Sequence, residues 1–323
     1  MAHSLSSVPL GDTGLQVSPL GLGLAALGRP AYITLGRDLG TRRAIPDLER
    51  RTHEVLDAAW RAGFRYVDAA RSYGRAEEFL ASWLQATGND PTVGSKWGYR
   101  YVGDWRLDAE VHEVKDHSLQ ALEEQLAESR RILGDHLDLY QIHSATLDSG
   151  VLENRAVLGR LAELADEGLL IGLSVSGPRQ ADTIRAALEV EVDGVNPFRC
   201  VQATWNLLEQ SAAPALQEAH RAGWGVIIKE ALANGRLVAG GDAIRVEKIS
   251  SRLGVDPDAV AIAACLSRPW ADVVLSGATS VAQLESNLRA ISLDTVEELL
   301  GDLESWRQHP DEYWETRSSL PWR

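Results

Sequence analysis

The stretch Phe64-Arg65-Tyr66-Val67-Asp68-Ala69-Ala70-Arg71-Ser72-Tyr73 is an apolar, strand-like run that ends in an aspartate and continues into a turn carrying a tyrosine. Two later runs have the same form, because residues 91–95 lead into Lys96 and residues 137–142 lead into His143. In a (β/α)8 barrel the C-terminal ends of different strands converge on one mouth. We therefore expect the four polar side chains to meet at the mouth of such a barrel.

These residue types together are suited to proton transfer. A phenol titrates near pH ~10, so Tyr73 by itself is a poor acid at neutral pH. A neighbouring ammonium such as that of Lys96 stabilises the ionised phenol, and we expect it to lower the phenol pKa. The spacing thus predicts a proton-relay cluster. Taken singly, each member has a structural alternative as a helix cap, a solvated charge or a packed ring.

The composition narrows the class of protein. The 323 residues are 45% hydrophobic and 24% charged, as in an ordinary globular protein. A net charge of −14 disfavours nucleic acid as a partner. No apolar run approaches the ~18 residues of a membrane span, and residues 1–11 lack the features of a secretory signal. Because Cys200 and Cys265 stand in no paired motif, we predict free thiols and a cytoplasmic location.

Strand-like and helix-like segments alternate along the chain after a predicted hairpin over residues 9–17. The predicted strands are residues 19–24, 64–68, 91–96, 137–143, 169–175, 198–202, 225–229 and 272–276. The predicted helices are residues 48–61, 76–84, 119–133, 157–167, 179–187, 213–221, 257–266 and 281–290. Eight such units predict an α/β fold, a (β/α)8 TIM barrel that forms a single domain over residues 1–323.

Long loops at the C-terminal mouth complete the predicted fold. They span residues 29–46, 97–117 and 234–247, and loops of this length after barrel strands commonly line a functional site. A doubly wound open sheet is the rival fold. It requires a Gly-x-Gly-x-x-Gly turn between a strand and a helix, and the nearest string, residues 21–28, has the wrong spacing.

Seven ordered motifs resemble the aldo-keto reductase family. The first is Asp68-Ala69-Ala70 followed by Tyr73-Gly74 and Glu77, and the next two end in Lys96 and His143. The later motifs are Ile171-Gly172-Leu173-Ser174, Val201-Gln202-Ala203-Thr204-Trp205-Asn206, Leu232-Ala233-Asn234-Gly235-Arg236-Leu237 and Gly277-Ala278-Thr279-Ser280 with Gln283 and Asn287. The resemblance runs from the hairpin to about residue 290. It implies NAD(P)H-dependent reduction of an aldehyde or ketone, or the reverse oxidation.

The resemblance also implies a role for each relay residue. Tyr73 would protonate the carbonyl oxygen as hydride arrives from the nicotinamide, with Lys96 held by Asp68. His143 would orient the carbonyl oxygen, because a fixed donor at the site of developing charge stabilises the transition state.

A second set of residues would hold the cofactor. By resemblance, Ser174 and Gln202 bind the carboxamide, Trp205 stacks on the nicotinamide, and Arg236 neutralises pyrophosphate charge. The implied cofactor-binding positions are Gly23, Leu24, Asp68, Ser174, Gln202, Trp205, Leu232, Asn234, Gly235, Arg236, Gly277, Thr279, Gln283 and Asn287. NADP(H) is favoured on family grounds. NAD(H) stays possible because Gln283 offers a 2′-phosphate only a neutral donor.

Besides Trp205, where the family usually has a tyrosine, the sequence departs from the family pattern at three positions. Ala69 replaces a threonine, Val175 replaces an asparagine after the carboxamide serine, and Ser286 replaces a glutamate before Asn287. Each change removes one expected polar contact. The departures therefore concern the fit of the cofactor and leave the relay residues intact.

Aromatic residues crowd the loop after Lys96. Trp97 and Tyr99 are candidates for the wall of a pocket that takes a small-molecule carbonyl substrate. Alternatively, these rings pack the loop onto the barrel. The C-terminal segment, residues 305–323, is a further candidate to cover the mouth.

The same sequence admits three other interpretations. A non-catalytic, cofactor-sensing regulatory subunit would retain the same relay residues. A barrel glycosidase needs two facing carboxylates, for which Asp68 and Glu230 are candidates, but it gives Lys96 and His143 no purpose. The string His112-Glu113 with Asp116-His117 is spaced like a polar helix start, so no metal site is predicted.

Overall fold

The structure, a computed structural model, describes residues 5–33, 42–238, 242–293 and 296–322. Among them, eight parallel strands close into a barrel in the order of the chain. These strands are β3 Leu20–Gly23, β4 Tyr66–Asp68, β5 Thr92–Trp97, β8 Leu139–Ala145, β9 Leu170–Val175, β10 Phe198–Thr204, β11 Gly225–Lys229 and β12 Val273–Ser276. The predicted (β/α)8 barrel is confirmed.

Two small antiparallel sheets stand outside the barrel. The N-terminal hairpin pairs β1 Val8–Pro9 with β2 Gln16–Val17, as predicted. A second hairpin pairs β6 Tyr99–Tyr101 with β7 Glu113–Lys115 inside the long loop after β5. That loop is therefore an ordered ribbon at the barrel mouth. The predicted loops over residues 29–46 and 234–247 lie partly outside the described residues.

Helices surround the barrel at all eight predicted places, and three further α-helices are present among the described residues. They are α1 Ile45–Arg61, α2 Ala76–Thr87, α3 Leu119–Leu133, α4 Arg155–Asp166, α5 Gln180–Leu188, α6 Ala213–Arg221, α7 Ala243–Leu253, α8 Pro257–Leu266, α9 Val281–Leu288, α10 Val296–Leu300 and α11 Pro310–Ser318. Helix α7 occupies part of the third predicted loop, and α10 and α11 follow the last predicted helix. In the described part of the chain, no helix is long and apolar enough to cross a membrane.

Side chains alternate in and out along every barrel strand, and this period of two organises the interior. Near the N-terminal ends of the strands the inward residues are apolar and pack around Tyr66, Leu139 and Ile227. Leu10 and Val17 of the N-terminal hairpin join this cluster and are fully buried. The hairpin therefore plugs the bottom of the barrel.

Glycine at two inward positions makes room for large side chains. A Cβ on Gly225 would lie 2.5 Å from Leu10 Cγ, and one on Gly94 would lie 2.3 Å from the Tyr66 hydroxyl oxygen. Both distances are shorter than any real contact, so a larger residue would displace the plug or the ring. The inward residues at the other end of the strands are mostly polar, and they form the mouth. Both cysteines are buried free thiols, as predicted.

Candidate active site

The structure brings the four predicted relay residues together at the mouth. Lys96 Nζ donates to the Asp68 carboxylate and to the carbonyl oxygen of Ala69, the latter at 3.0 Å. The same nitrogen lies 5.0 Å from the centroid of the Tyr73 ring. The His143 ring stands nearly perpendicular to that of Tyr73, with 5.4 Å between centroids. Because Asp68 and Lys96 are each 1% exposed, this ion pair is shielded from water.

Asp68 is the centre of the cluster's hydrogen bonds. Its second carboxylate oxygen accepts from Gln202 Nε2 at 2.8 Å and from the Tyr66 hydroxyl at 3.3 Å. Buried polar oxygens of this kind are stabilised by such donors. Asp68 is thus used inside the barrel, and the alternative role as a helix cap is wrong, since α2 begins after Arg75 without a side-chain cap.

The structure corrects the expected effect on the pKa of Tyr73. Burial raises the pKa of Tyr73 well above its usual value, the charge of Asp68 raises it further, and Arg29 opposes them. The ammonium of Lys96, which binds Asp68, does not outweigh burial and the charge of Asp68. The phenol therefore stays protonated across the neutral range, which is the form that donates a proton.

His143 is held as a neutral imidazole. Burial lowers its pKa well below the usual value, and the charges of Lys96 and Arg29 add to that effect. Its Nδ1 lies 3.3 Å from Ser72 Oγ, and its carbonyl oxygen accepts from His117 Nε2 at 2.9 Å. A neutral imidazole can donate one hydrogen bond and accept another, so it can orient a carbonyl oxygen without adding charge.

A cavity of about 360 Å³ opens above this cluster. The predicted site residues that line it are Gly23, Asp68, Tyr73, Tyr99, His143, Ser174, Gln202, Leu232, Asn234, Gly235 and Gly277. They come from both halves of the chain and from strands on opposite sides of the barrel. The relay and most of the implied cofactor positions therefore share one cavity.

Ser174 and Gln202 are poised to recognise a primary amide. Ser174 Oγ accepts from the Ser144 N–H at 2.8 Å, which leaves its hydroxyl hydrogen as a donor. Gln202 uses its Nε2 on Asp68, which leaves Oε1 as an acceptor. A carboxamide offers one carbonyl oxygen and one NH2 group, so this donor and acceptor pair complements it.

Two tryptophans assigned to the site face away from it. Trp205 is 1% exposed and packs edge-on against Trp270, 5.7 Å between centroids, in the layer outside the barrel. Trp97 is fully buried and contacts His117. The alternation of strand side chains explains both corrections. Lys96 points inward, so Trp97, the next residue, points outward. Gln202 also points inward, so Trp205, three residues later, points outward.

Arg236 and Leu24 also lie apart from the cavity lining. Arg236 Nε donates to Asp242 at 2.9 Å and its Nη2 to Gln308 at 2.8 Å. Two of its nitrogens are therefore engaged by protein groups, whereas Nη1 is buried without a hydrogen-bond partner among the described residues, and its expected role toward cofactor charge stays a prediction. Leu24 is fully buried, and its backbone N–H donates to the Asp68 carbonyl at 2.9 Å.

The loop and helix implied for the far end of the cofactor form a polar network. Gln283 Oε1 accepts from the backbone and hydroxyl of Thr279 at 2.8 and 3.0 Å. Asn287 accepts from Ser276 Oγ at 2.6 Å and donates to Asp258. These side chains are therefore held in place along α9 and in the turn before it, and Thr279, Gln283 and Asn287 do not line the cavity.

The sequence analysis missed several charged and aromatic residues of the cavity wall. Lys229 is two residues after the inward-facing Ile227 of β11, so the alternation of strand side chains could have predicted that it faces the cavity. Arg29 pairs with Glu113 at 2.7 Å, an ion pair between two distant loops that no local pattern indicates. Tyr32 also lines the cavity, and three further residues come from the C-terminal segment: Trp314, Arg317 and Trp322.

The structure bears on the two alternative chemistries, a glycosidase and a metal site. Glu230 accepts from Arg317 Nε with both carboxylate oxygens at 2.9 Å. Burial raises the pKa of Glu230, but the charges of Arg317 and Lys229 outweigh it and lower it to about 2, which rules out the general acid of a glycosidase. Within the described ranges, no group of three potential ligands is placed to hold a metal ion.

The fold and the site define a (β/α)8-barrel protein with a buried Asp–Lys–Tyr–His cluster beneath a single cavity. A sequence model described as the Aldo/keto reductase family matches residues 19–307. The chain belongs to this family.

Curated relatives match part of the chain. A D-threo-aldose 1-dehydrogenase from a Pseudomonas species is 27% identical over 217 residues, which cover 62% of this chain and 61% of that protein. An aryl-alcohol dehydrogenase [NADP(+)] from Phanerodontia chrysosporium is 25% identical over 201 residues, 60% of this chain and 49% of that protein. The matches thus span between half and two thirds of the length of these relatives.

Solved structures extend the similarity to nearly the whole chain. A putative aldo-keto reductase from Pseudomonas aeruginosa superposes with a TM-score of 0.66 at 26% identity, covering 91% of this chain and 99% of that one. The holo form of an aldo-keto reductase from Bacillus halodurans gives a TM-score of 0.70 at 20% identity, covering 97% and 96%. The latter likeness concerns the fold alone.

Proposed function

We propose that the protein is a nicotinamide-dependent oxidoreductase that reduces an aldehyde or ketone to an alcohol, or catalyses the reverse reaction. One observation carries the proposal: Tyr73 and His143 line the same cavity as Ser174 and Gln202, above the buried Lys96–Asp68 pair. Proton-donating groups thus share a space with groups that complement a carboxamide. The relatives named as dehydrogenases and reductases support the same class of reaction.

The residues of the cavity fit the nicotinamide end of the cofactor. Ser174 donates and Gln202 accepts, as a carboxamide requires. Leu232, Asn234 and Gly235 line the cavity beside them and would hold the adjoining part of the dinucleotide. The bound cofactor supplies the hydride.

Tyr73 acts as the general acid in this mechanism. Its protonated phenol donates to the carbonyl oxygen as negative charge develops there. Lys96 and Asp68 hold the hydrogen-bond network beneath the ring. His143, neutral and buried, orients the same oxygen. In the reverse direction the same groups remove the proton from an alcohol.

The aromatic lining indicates the substrate class. Tyr99 lies 5.0 Å from the His143 ring centroid, and Trp314 and Trp322 line the same cavity. Flat apolar walls beside the reacting carbon favour a ring-bearing carbonyl compound. The relative named for aryl-alcohol oxidation is consistent with this choice. We propose small aromatic aldehydes as the first substrates to assay.

The choice between NADP(H) and NAD(H) depends on residues of α9 and of the start of α8. Gln283 Oε1 already accepts a hydrogen bond from Thr279, and the carboxylates of Asp256 and Asp258 accept from the Ser286 hydroxyl. Carboxylates repel a 2′-phosphate and accept hydrogen bonds from a free ribose hydroxyl. We therefore propose that NAD(H) is bound at least as well as NADP(H), against the preference that the family resemblance implies.

Calorimetric titration of the purified protein with NADPH and, separately, NADH tests the proposal. Saturable binding of either compound, followed by its oxidation in the presence of benzaldehyde, is the expected result. The ratio of the two dissociation constants measures the cofactor preference. A folded protein that binds neither dinucleotide is not an oxidoreductase of this kind. The regulatory-subunit alternative, which no observation here favours, predicts binding without turnover.

A further inference from the structure

Lys229 borders the part of the cavity that fits the nicotinamide. Gln202 of β10 lies opposite Ile227 of β11, and Thr204 lies opposite Lys229. Gln202 and Lys229 both line the cavity, so Lys229 is one inward position nearer the mouth on the adjacent strand. Residues 232–235, proposed to hold the adjoining part of the dinucleotide, follow β11 directly. A ring whose carboxamide is bound by Gln202 would therefore have the Lys229 side chain beside it.

The ammonium of Lys229 is held in place without a carboxylate of its own. It donates to Thr204 Oγ1 at 2.8 Å, and this hydroxyl carries no charge. An oxygen of Glu230 lies 3.9 Å away, but both oxygens of that carboxylate accept from Arg317. The Lys229 side chain is 15% exposed, so water and salt screen its charge only weakly. Burial lowers the pKa of Lys229 to about 8, so the amine is still largely protonated at pH 7.

The cavity carries one surplus positive charge, although the net charge of the whole chain is −14. Its charged lining residues and Lys96 beneath them comprise four cations and three carboxylates: Arg29, Lys96, Lys229 and Arg317 with Asp68, Glu113 and Glu230. Each carboxylate forms a close pair with one of the other three cations. The imidazole of His143 adds no charge, because burial lowers its pKa well below the usual value. The surplus charge is therefore that of Lys229.

The two redox forms of a nicotinamide cofactor differ in the charge of this same ring. The oxidised nicotinamide is a pyridinium cation, whereas the reduced dihydronicotinamide is neutral. The riboses, the pyrophosphate and the adenine are identical in the two forms. A fixed cation beside the ring repels the oxidised form only, and the repulsion is larger in a site shielded from water than in bulk solvent.

Resting on the proposed function, we propose that the charge of Lys229 makes the protein select the reduced dinucleotide over the oxidised one. Lys229 does not change the equilibrium of the overall reaction, but it determines which form of the cofactor occupies the site. Selection of the hydride donor favours the reduction of carbonyl compounds over the oxidation of alcohols. Weak binding of the oxidised form also promotes its release, a step that limits turnover in many enzymes.

The test is the ratio of the dissociation constants of NAD⁺ and NADH, measured by calorimetry at pH 7. The parts that the two compounds share cancel in this ratio. The wild type should bind NADH more tightly. Lys229→Gln, which keeps a hydrogen-bond donor for Thr204 but removes the charge, should lower the ratio about tenfold. Lys229→Arg, which keeps the charge, should retain most of the selectivity. An unchanged ratio in Lys229→Gln would overturn the proposal.

Two controls separate this role from others. Lys248→Gln removes an exposed lysine of α7 and should leave the ratio at its wild-type value. ADP-ribose, which has the pyrophosphate without the nicotinamide, should bind Lys229→Gln and the wild type alike. Equal weakening of ADP-ribose, NAD⁺ and NADH would assign Lys229 to the pyrophosphate and overturn the proposal. A folded wild type that binds neither dinucleotide would reject the proposed function as well, whereas binding of both with one ratio in every variant would reject only the role of Lys229.

Discussion

At the scale of single residues, the chemistry depends on one phenol and its surroundings. Tyr73 is buried with its pKa raised, next to a Lys96–Asp68 pair whose charges largely cancel. In the proposed mechanism, the proton therefore stays on the phenol until the carbonyl oxygen develops charge. Loss of the hydroxyl alone should remove this step without disturbing the cavity.

Tyr73→Phe tests that role. We expect turnover to fall about 10²- to 10⁴-fold, the usual contribution of a general acid, while the dissociation constants of NADH and NADPH stay nearly unchanged. Single-turnover kinetics and calorimetry measure the two quantities. Tyr140→Phe is a matched control, since this fully buried phenol does not line the cavity. Wild-type turnover in Tyr73→Phe would remove this residue from the mechanism.

The ion pair of Glu230 predicts how stability depends on pH. In the folded protein its pKa is about 2, because Arg317 and Lys229 outweigh the effect of burial. A carboxyl whose folded pKa lies below its unfolded value near ~4.3 stabilises the fold above that value. This stabilisation, on the order of 3 kcal/mol, should be lost as the pH falls from about 4.5 toward 2.

Urea unfolding of the wild type and Glu230→Gln between pH 7 and pH 3 measures the effect. The difference in free energy of unfolding should be largest at neutral pH and shrink in acid, because the protonated carboxyl then resembles the amide. If the difference in free energy of unfolding were the same at both pH values, the charge of Glu230 would not contribute to stability.

At the scale of elements, the C-terminal helix α11 completes the cavity. Arg317 binds Glu230 at the end of β11, and the Tyr313 hydroxyl accepts from Asn206 Nδ2 at 3.0 Å. Beyond the helix, Trp322 stacks on His112 with 4.3 Å between ring centroids. The segment therefore attaches to the barrel through polar contacts at several points.

Arg317→Met should loosen this attachment. A hydrogen-bonded ion pair that is mostly buried contributes about 1–3 kcal/mol, so α11 should detach more often and the KM for an aromatic aldehyde should rise. Hydrogen exchange resolved to residues 310–318 and limited proteolysis report the detachment directly. Arg185→Met, which breaks an exposed pair with Glu218, is the control. Unchanged exchange in α11 would show that its other contacts suffice.

At the scale of the whole molecule, the barrel has an apolar lower layer and a polar mouth. Leu10 of the hairpin fills the bottom against Gly225, whose missing Cβ leaves the space. The lower layer can therefore be tested separately from the site, which lies at the opposite end of the strands.

Leu10→Ala should destabilise the fold by about 2–5 kcal/mol, since it removes a fully buried side chain from a packed layer. Dinucleotide affinity should remain near that of the wild type. Denaturant unfolding and calorimetry check the two expectations, with Val8→Ala at a less buried position of the same hairpin as control. A loss below ~1 kcal/mol would mean that the hairpin is not part of the cooperative core.

The barrel and the positions of the four relay residues could be predicted from the amino-acid sequence alone. Apolar runs repeated at regular spacing indicate parallel strands, and a polar residue at the end of such a run is placed at the mouth by the topology alone. Asp68, Lys96 and His143 follow from this rule, and Tyr73 follows from the motif. The alternation of side chains could also have placed Lys229 inside and Trp97 and Trp205 outside.

Only the tertiary structure decided the rest of the cavity. Arg29 meets Glu113, and Arg317 meets Glu230, across 84 and 87 positions of sequence. Such pairs depend on the paths of loops and of the C-terminal segment, which no local periodicity describes. The same holds for the pKa of Tyr73, because burial and the pairing of Lys96 with Asp68 arise only when distant strands close into a barrel.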